Sequence, residues 1–335
     1  TSETGRVTLF DLPGDVAVMV RYQGKVSTFR ATVPLGAPVA TLPPVSNFVD
    51  DLVFAKLKTI GIPPSDIADD GTFIRRLTLD LAGRLPTASE MKDFMASKDA
   101  NKRTALVDRL LDSPDYAEFF ANKWSALLRN QRTQPVYARG TYLFWQWIRD
   151  SIADNKPYDQ FVREVIAAAG DIDNSPPVAW YRQVKEQKQQ MEDVAQLFLG
   201  TRMQCAQCHH HPFEKWSQQD YYGFAAFFAN VARKPSTFTG EELIYHKRGI
   251  AQTQNIRTKE QVMPTSLGGA ALKLKPEQDP RVSLAEWMRA KDNPFFAHTL
   301  VNRYWKHFFN RGLVEPEDDM RETNPPVNPE LLSAL

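Results

Sequence analysis

From residue 47 onward, apolar residues recur every three to four positions, the spacing of helices with one buried face. The pattern predicts helices at 47–60, 71–82, 88–96, 102–111, 116–128, 141–154 and 158–168. Several carry their own start signals. Thr87 with Glu90 reads as a capping box, Ser113-Pro114 opens one helix, and Lys156-Pro157 opens another. Met191, Val194, Ala195, Phe198 and Leu199 form one apolar stripe ending at Gly200, a residue suited to a helix C-cap. Tyr221, Phe224, Ala225 and Phe228 form another, and helix resumes at 284–290 and 294–309. Asp80 and Arg84, four apart, are placed to pair on a helix surface.

Before residue 47 the texture is different. Runs rich in β-branched and aromatic residues at 6–10, 16–22 and 26–33 predict three strands, with Pro13-Gly14-Asp15 and Gln23-Gly24-Lys25 as turns. Three strands alone would expose edges and one apolar face, so further strands upstream, another chain or the helical body is expected to cover them. Residues 37–46 are a Pro-rich linker, and 232–280 alternates Gly and Pro with short β-like runs such as Leu243-Ile244-Tyr245-His246. The expected fold is mainly α: a β segment at 1–36, the linker, a helical domain at 47–231, an irregular or β insertion at 232–280 suited to a lid, and a second helical segment at 281–335.

Charge then narrows the function classes. The 335 residues carry 41 basic and 40 acidic side chains, a balance with no electrostatic case for nucleic acid or an anionic membrane. No run of eighteen apolar residues predicts a transmembrane helix, and Thr1-Ser2-Glu3 is not the start of a signal peptide. Two cysteines do not make a disulfide-stapled scaffold.

Both cysteines and three of the six histidines lie in one stretch, Cys205-Ala206-Gln207-Cys208-His209-His210-His211. Cys-x-x-Cys-His is the attachment signal of c-type haem: two thiols three apart reach the two vinyl groups, and the next imidazole ligates the iron. Cys205 and Cys208 are therefore the expected thioether residues and His209 the expected proximal ligand. Three other readings compete: a disulfide or redox pair, two buried thiols, or half a zinc site using Cys205, Cys208 and a histidine such as His211. Zinc lacks a second Cys-x-x-Cys to complete it. For the distal side of a haem, His307 borders the apolar face formed by Ala297, Leu300, Val301, Tyr304 and Phe308, whereas His298 lies on the polar side. Met191, Met203, Met263 and His246 are its rivals, as is an open position.

The residues also carry resemblances. The opening strands resemble the C-terminal half of a bacterial immunoglobulin-like domain. Phe73-Ile74-Arg75-Arg76-Leu77-Thr78-Leu79-Asp80-Leu81-Ala82-Gly83-Arg84-Leu85-Pro86-Thr87, then Leu111-Asp112-Ser113-Pro114-Asp115-Tyr116, then the cysteine stretch through Pro212-Phe213 resemble a planctomycete cytochrome-like family of unknown function. Asn293-Pro294-Phe295-Phe296-Ala297, Val301-Asn302-Arg303-Tyr304-Trp305 and Asp318-Asp319-Met320-Arg321-Glu322-Thr323-Asn324-Pro325-Pro326 resemble its companion family, also of unknown function. In that pattern a Gly usually stands where this chain has Asn310, and the companion family normally continues beyond Leu335.

The resemblance implies an exported protein with an extracytoplasmic redox role. Covalent haem attachment in bacteria is likewise made outside the cytoplasm. The leading expectation is a c-type cytochrome domain with one haem, passing electrons to a redox partner protein or a neighbouring haem protein. One alternative is a haem or metal enzyme on an extracellular substrate such as a polysaccharide, with Arg303, Asp318, Asp319 and Arg321 lining a pocket. Another is a surface module that self-associates through its strands, with the Cys-His cluster as a zinc or disulfide staple.

Overall fold

The computed structural model describes residues 4–22 and 25–335. The chain divides into two compact units. Unit 1 comprises Thr1–Ile67, Leu199–Ser217 and Pro294–Leu335; unit 2 comprises Ala68–Phe198 and Gln218–Asn293. Proximity in sequence is thus not what groups these segments. The opening strands, the cysteine stretch and the residues after 293 belong together in unit 1.

Unit 1 begins with two antiparallel strands, β1 (Gly14–Tyr22) and β2 (Lys25–Val33), with Gly14 opposite Val33 and Tyr22 opposite Lys25. The third strand expected at 6–10 does not form. A strand needs a neighbour for its backbone groups, and residues 6–10 pair with neither β1 nor β2. Of the turn expected over 23–25, residues 23 and 24 lie outside the described residues. Helix α1 (Phe48–Ile60) starts at Asn47, whose side chain accepts from the Val49 and Asp50 N–H groups. It stops at Gly61, where φ is 67° and an added Cβ would lie 2.6 Å from the Gly36 nitrogen. Lys56 of α1 reaches Asp15 of β1 at 2.6 Å.

Unit 2 contains α2 (Asp70–Ala82), α3 (Ala88–Ala96), α4 (Lys102–Leu111), α5 (Pro114–Leu127), α6 (Ala138–Ala153) and α7 (Tyr158–Ile166). After α8 (Trp180–Gln183), α9 (Gln187–Leu199) carries the chain to the cysteine stretch, and α10 (Gln218–Ala225) comes after it. The insertion forms two small hairpins, β3 (Val231–Pro235) with β4 (Glu242–His246) and β5 (Thr253–Gln254) with β6 (Gln261–Val262), before α11 (Pro280–Met288). The core of unit 2 is aromatic: Trp124 and Trp147 both contact Phe161, at 5.4 and 4.9 Å between ring centroids. Helices α12 (Phe296–Phe309) and α13 (Pro329–Ala334) return to unit 1. There Leu313, Val314, Leu331 and Leu332 form a buried cluster packed by Val49, Leu52, Val53, Val301 and Trp305.

The mainly α reading therefore holds, with the β structure confined to two-stranded pieces. Local signals read from the residues recur. Asn310, at φ 60°, ends α12 in the left-handed conformation, a C-terminal position that favours Gly and that Asn also adopts. The expected Asp80–Arg84 pair is not what engages Arg84. Gly83, at φ 66°, ends α2 and turns Arg84 off the helix face, toward Glu90 at 2.9 Å and Asp115 at 2.6 Å. The guanidinium holds Glu90 down to about 2. The capping box is complete: Thr87 accepts from Glu90 N at 3.2 Å and donates its own N–H to the Glu90 carboxylate at 2.7 Å. Thr87→Ala is expected to destabilise the protein by about 1 kcal/mol, read by urea unfolding; an unchanged midpoint would mean the cap contributes nothing.

Candidate functional site

The cysteine stretch is a single turn of 3₁₀ helix, Gln204–Gln207. Its backbone bonds run from Ala206 N to Met203 O at 2.9 Å and from Cys208 N to Cys205 O at 3.4 Å. With three residues per turn, side chains at i and i+3 eclipse. The result is two such pairs. Met203 and Ala206 are both fully buried, whereas Cys205 and Cys208 are exposed free thiols. Apolar residues anchor the inner side, and both sulfurs stand on the outer side.

His209 comes directly after this turn and is exposed. Its Nδ1 lies 2.6 Å from the His210 carbonyl oxygen. A carbonyl only accepts, so Nδ1 carries a proton, and in the neutral ring the lone pair is on Nε2. This is the arrangement of a ligating histidine, whose second nitrogen is held by a backbone carbonyl. The donor set of two exposed thiols and one free imidazole nitrogen fits covalent haem attachment. His211 is different. It is buried, and its Nδ1 accepts from Phe213 N at 3.3 Å. A further backbone hydrogen bond to Arg202, of the kind that favours the protonated ring, engages it too. Among the described residues no group of three or more His, Cys, Asp or Glu is placed to hold a metal ion.

Beyond the turn the chain makes a closed loop. His211 N donates to Trp216 O at 2.9 Å, and Trp216 is buried against Phe295 with ring centroids 6.2 Å apart. The segment after α12 clamps this loop from outside. Glu322 N donates to the Glu214 carboxyl at 3.1 Å, and Thr323 Oγ1 donates to Phe213 O at 2.8 Å. The Arg321 guanidinium covers the Phe213 ring at 5.1 Å. Upstream, Met320 N donates to Gly200 O at 2.7 Å. Gly200 has φ 60°, and a Cβ there would lie 2.8 Å from Met320 Cγ, so both conformation and space require glycine. Arg21 of β1 donates to Pro212 O at 2.7 Å.

The four polar residues considered for a substrate pocket are occupied in this frame. Asp318 pairs with Arg202 at 2.5 Å, Asp319 with Arg321 at 3.2 Å, and Arg303 faces Glu317 at 3.9 Å. His307 is half-buried on α12, edge-on to Phe308 at 4.9 Å. It shares unit 1 with the turn, as Met203 does, whereas Met191, Met263 and His246 belong to unit 2. Glu214 is the residue the pattern of the chain did not single out. Its only local signal is a carboxylate set between aromatic residues, in Phe213-Glu214-Lys215-Trp216.

Burial is the main cause of two opposite titration shifts here. It pushes the Glu214 carboxyl up, against backbone hydrogen bonds from Lys215 and Glu322. It pushes His211 down, helped by the Arg321 charge. For Glu214, folding strengthens proton binding, so its contribution to stability falls as pH rises from the usual glutamate range through the raised value. For His211, folding weakens proton binding, so stability falls as pH drops from the usual histidine range. The slope from either proton is at most about 1.4 kcal/mol per pH unit. Glu214→Gln is expected to flatten the loss on the rising side, tracked by urea unfolding between acid and neutral pH; an unaltered profile would remove Glu214 as its source.

Residues 48–233 match the sequence profile of PSCyt2, protein of unknown function (DUF1549). The chain belongs to this family. Residues 280–335 match a second profile, PSD1, protein of unknown function (DUF1553). No curated protein and no solved structure matches the chain. PSD1 residues 320–323 clamp the loop that leads away from the PSCyt2 cysteine turn, so the two matched segments jointly build one mount within unit 1. Among the described residues no helix is long and apolar enough to cross a membrane.

Proposed function

We propose that the turn at 203–209 is the attachment site of one c-type haem and that the protein carries electrons outside the cytoplasm. The observation that carries this reading is the pairing of two outward thiols on one 3₁₀ turn with an imidazole whose Nδ1 is already committed to a carbonyl. Cys205 and Cys208 form the thioethers, and His209 offers Nε2 to the iron. Met203 and Ala206 anchor the turn from beneath, and the 211–216 loop with its clamp keeps His209 in register. The haem supplies a one-electron iron couple whose potential depends on its ligands, burial and surrounding hydrogen bonds. His307 is the distal ligand in this reading, supplied from the same unit. The strands β1 and β2 are part of an immunoglobulin-like module. The electron partner is a redox protein or a neighbouring haem protein.

The test is a UV-visible spectrum of protein matured in a haem-ligating bacterial host, with a pyridine haemochrome assay and an intact mass. A Soret band, a c-type haemochrome and a haem-sized mass increment are expected. Carbon monoxide should not displace a His307 ligand readily. Absence of haem after such maturation would overturn the proposal.

A further inference from the structure

Unit 2 holds a cleft that involves none of the residues of the cysteine turn or its clamp. It has a volume of about 800 Å³ and is walled by α7, the 174–177 segment and α11. That is the size range of small-ligand sites. Its charges cancel: Asp159 and Glu164 stand against Arg163 and Arg289. They are also engaged with partners, Arg163 with Glu286 at 3.1 Å, Glu164 with Lys156 at 2.6 Å, and Arg289 with Asp159 at 3.7 Å. An ionic ligand therefore gains little from this field. The lining at Ala167, Ala168 and Ala169 is made of small side chains, which offer little apolar surface.

What the lining leaves open is neutral hydrogen bonding. Among the described residues, the Trp147 indole N–H, the Ser175 hydroxyl, the Asn174 side-chain carbonyl and the Gln160 side-chain carbonyl have no partner within the protein. These groups are held in place. Trp147 stacks on Phe161 at 4.9 Å and on Phe144 at 6.0 Å. The Asp171 carboxylate accepts from Asp173 N, Asn174 N and Asn174 Nδ2 at 3.2, 3.1 and 2.9 Å. Ser175 N donates to Asp171 O at 2.9 Å. Preorganised groups of both kinds lose little freedom on binding, and each hydroxyl of a sugar both donates and accepts.

We propose that this cleft binds a neutral oligosaccharide. The proposal is independent of the haem reading and stands or falls in a different unit. Its test is isothermal titration calorimetry of the full chain with cellohexaose and maltohexaose, alongside hexagalacturonate and a pool of uncharged hexapeptides. Two variants accompany it: Q160A/N174A, which removes exposed carbonyl acceptors, and A169W, which sets a bulky side chain in the lining. The expected result is binding of a neutral hexasaccharide, at least tenfold weaker in Q160A/N174A and abolished in A169W, with unfolding midpoints retained. If A169W does not fold, Q160A/N174A decides alone. Failure of both neutral sugars to bind, preference for hexagalacturonate or the peptides, or affinity that survives the variants would each overturn the proposal.

Discussion

The variant C205S/C208S is expected to carry no covalently bound haem while keeping the parent fold. Both side chains are exposed and unpaired, so replacing sulfur by oxygen removes no core contact and leaves stability within about 0.5 kcal/mol. The turn itself rests on backbone bonds and on buried Met203 and Ala206, which the substitutions do not touch. Loss of haem would thus report thioether chemistry and not unfolding. Each single variant is expected to retain one thioether. The mass increment then remains, and the unreacted vinyl group shifts the haemochrome band to longer wavelength. His209→Ala separates ligation from attachment, keeping the mass and losing the spectrum of the proximal imidazole. The comparison is made by intact mass and haemochrome spectra on proteins matured side by side. The chain holds no other cysteine, so a haem-sized increment surviving in C205S/C208S would sink the assignment.

Much of this was legible along the chain, for local reasons. Helices α1 to α5 arise from the period of their apolar residues, and Thr87, Ser113 and Gly200 mark ends because capping is a short-range exchange between a side chain and the first or last backbone groups. The spacing of Cys205, Cys208 and His209 likewise needs no partner elsewhere. What stayed hidden depends on distant residues. The 6–10 run has strand-like composition, but a strand exists only with a neighbour. Arg84 looked like a helix partner of Asp80 until the turn at Gly83 redirected it to Asp115, 31 residues on. The role of Glu214 requires Glu322, 108 residues away. The tautomer of His209 requires the position of a carbonyl, which no spacing rule contains.

The same limit applies to Arg281, which yields the largest stability effect expected of any single substitution here. It sits in the first turn of α11, where a charged residue reads as solvated, yet it is 1% exposed. All three of its guanidinium nitrogens are engaged. Nη1 donates to Ala168 O at 2.9 Å and to the Tyr181 hydroxyl oxygen at 2.8 Å. Nε and Nη2 grip the Asp279 carboxylate at 3.0 and 2.7 Å. Tyr181 in turn donates to Ile166 O, so one side chain joins α11, α8 and the end of α7. Burial by itself would ease a proton off such a group, but Asp279 and the Tyr181 oxygen hold Arg281 above its ordinary value. Arg281→Ala is expected to destabilise unit 2 by about 3–5 kcal/mol, because Asp279, Ala168 O and Tyr181 lose a shared partner in a place water does not reach freely. Arg281→Met restores much of the volume without the donors. If packing alone mattered, Met would recover most of the loss; if the donors matter, Met should remain well below the parent. Urea unfolding of the three proteins distinguishes these outcomes, and a loss under about 1 kcal/mol in Arg281→Ala would show that the network is decorative. The Arg182–Glu241 pair, both side chains under a tenth exposed and 2.9 Å apart, serves as the internal comparison. Its guanidinium leaves Nε without a partner, so it is the less completely satisfied network, and Arg182→Ala is expected to cost less than Arg281→Ala.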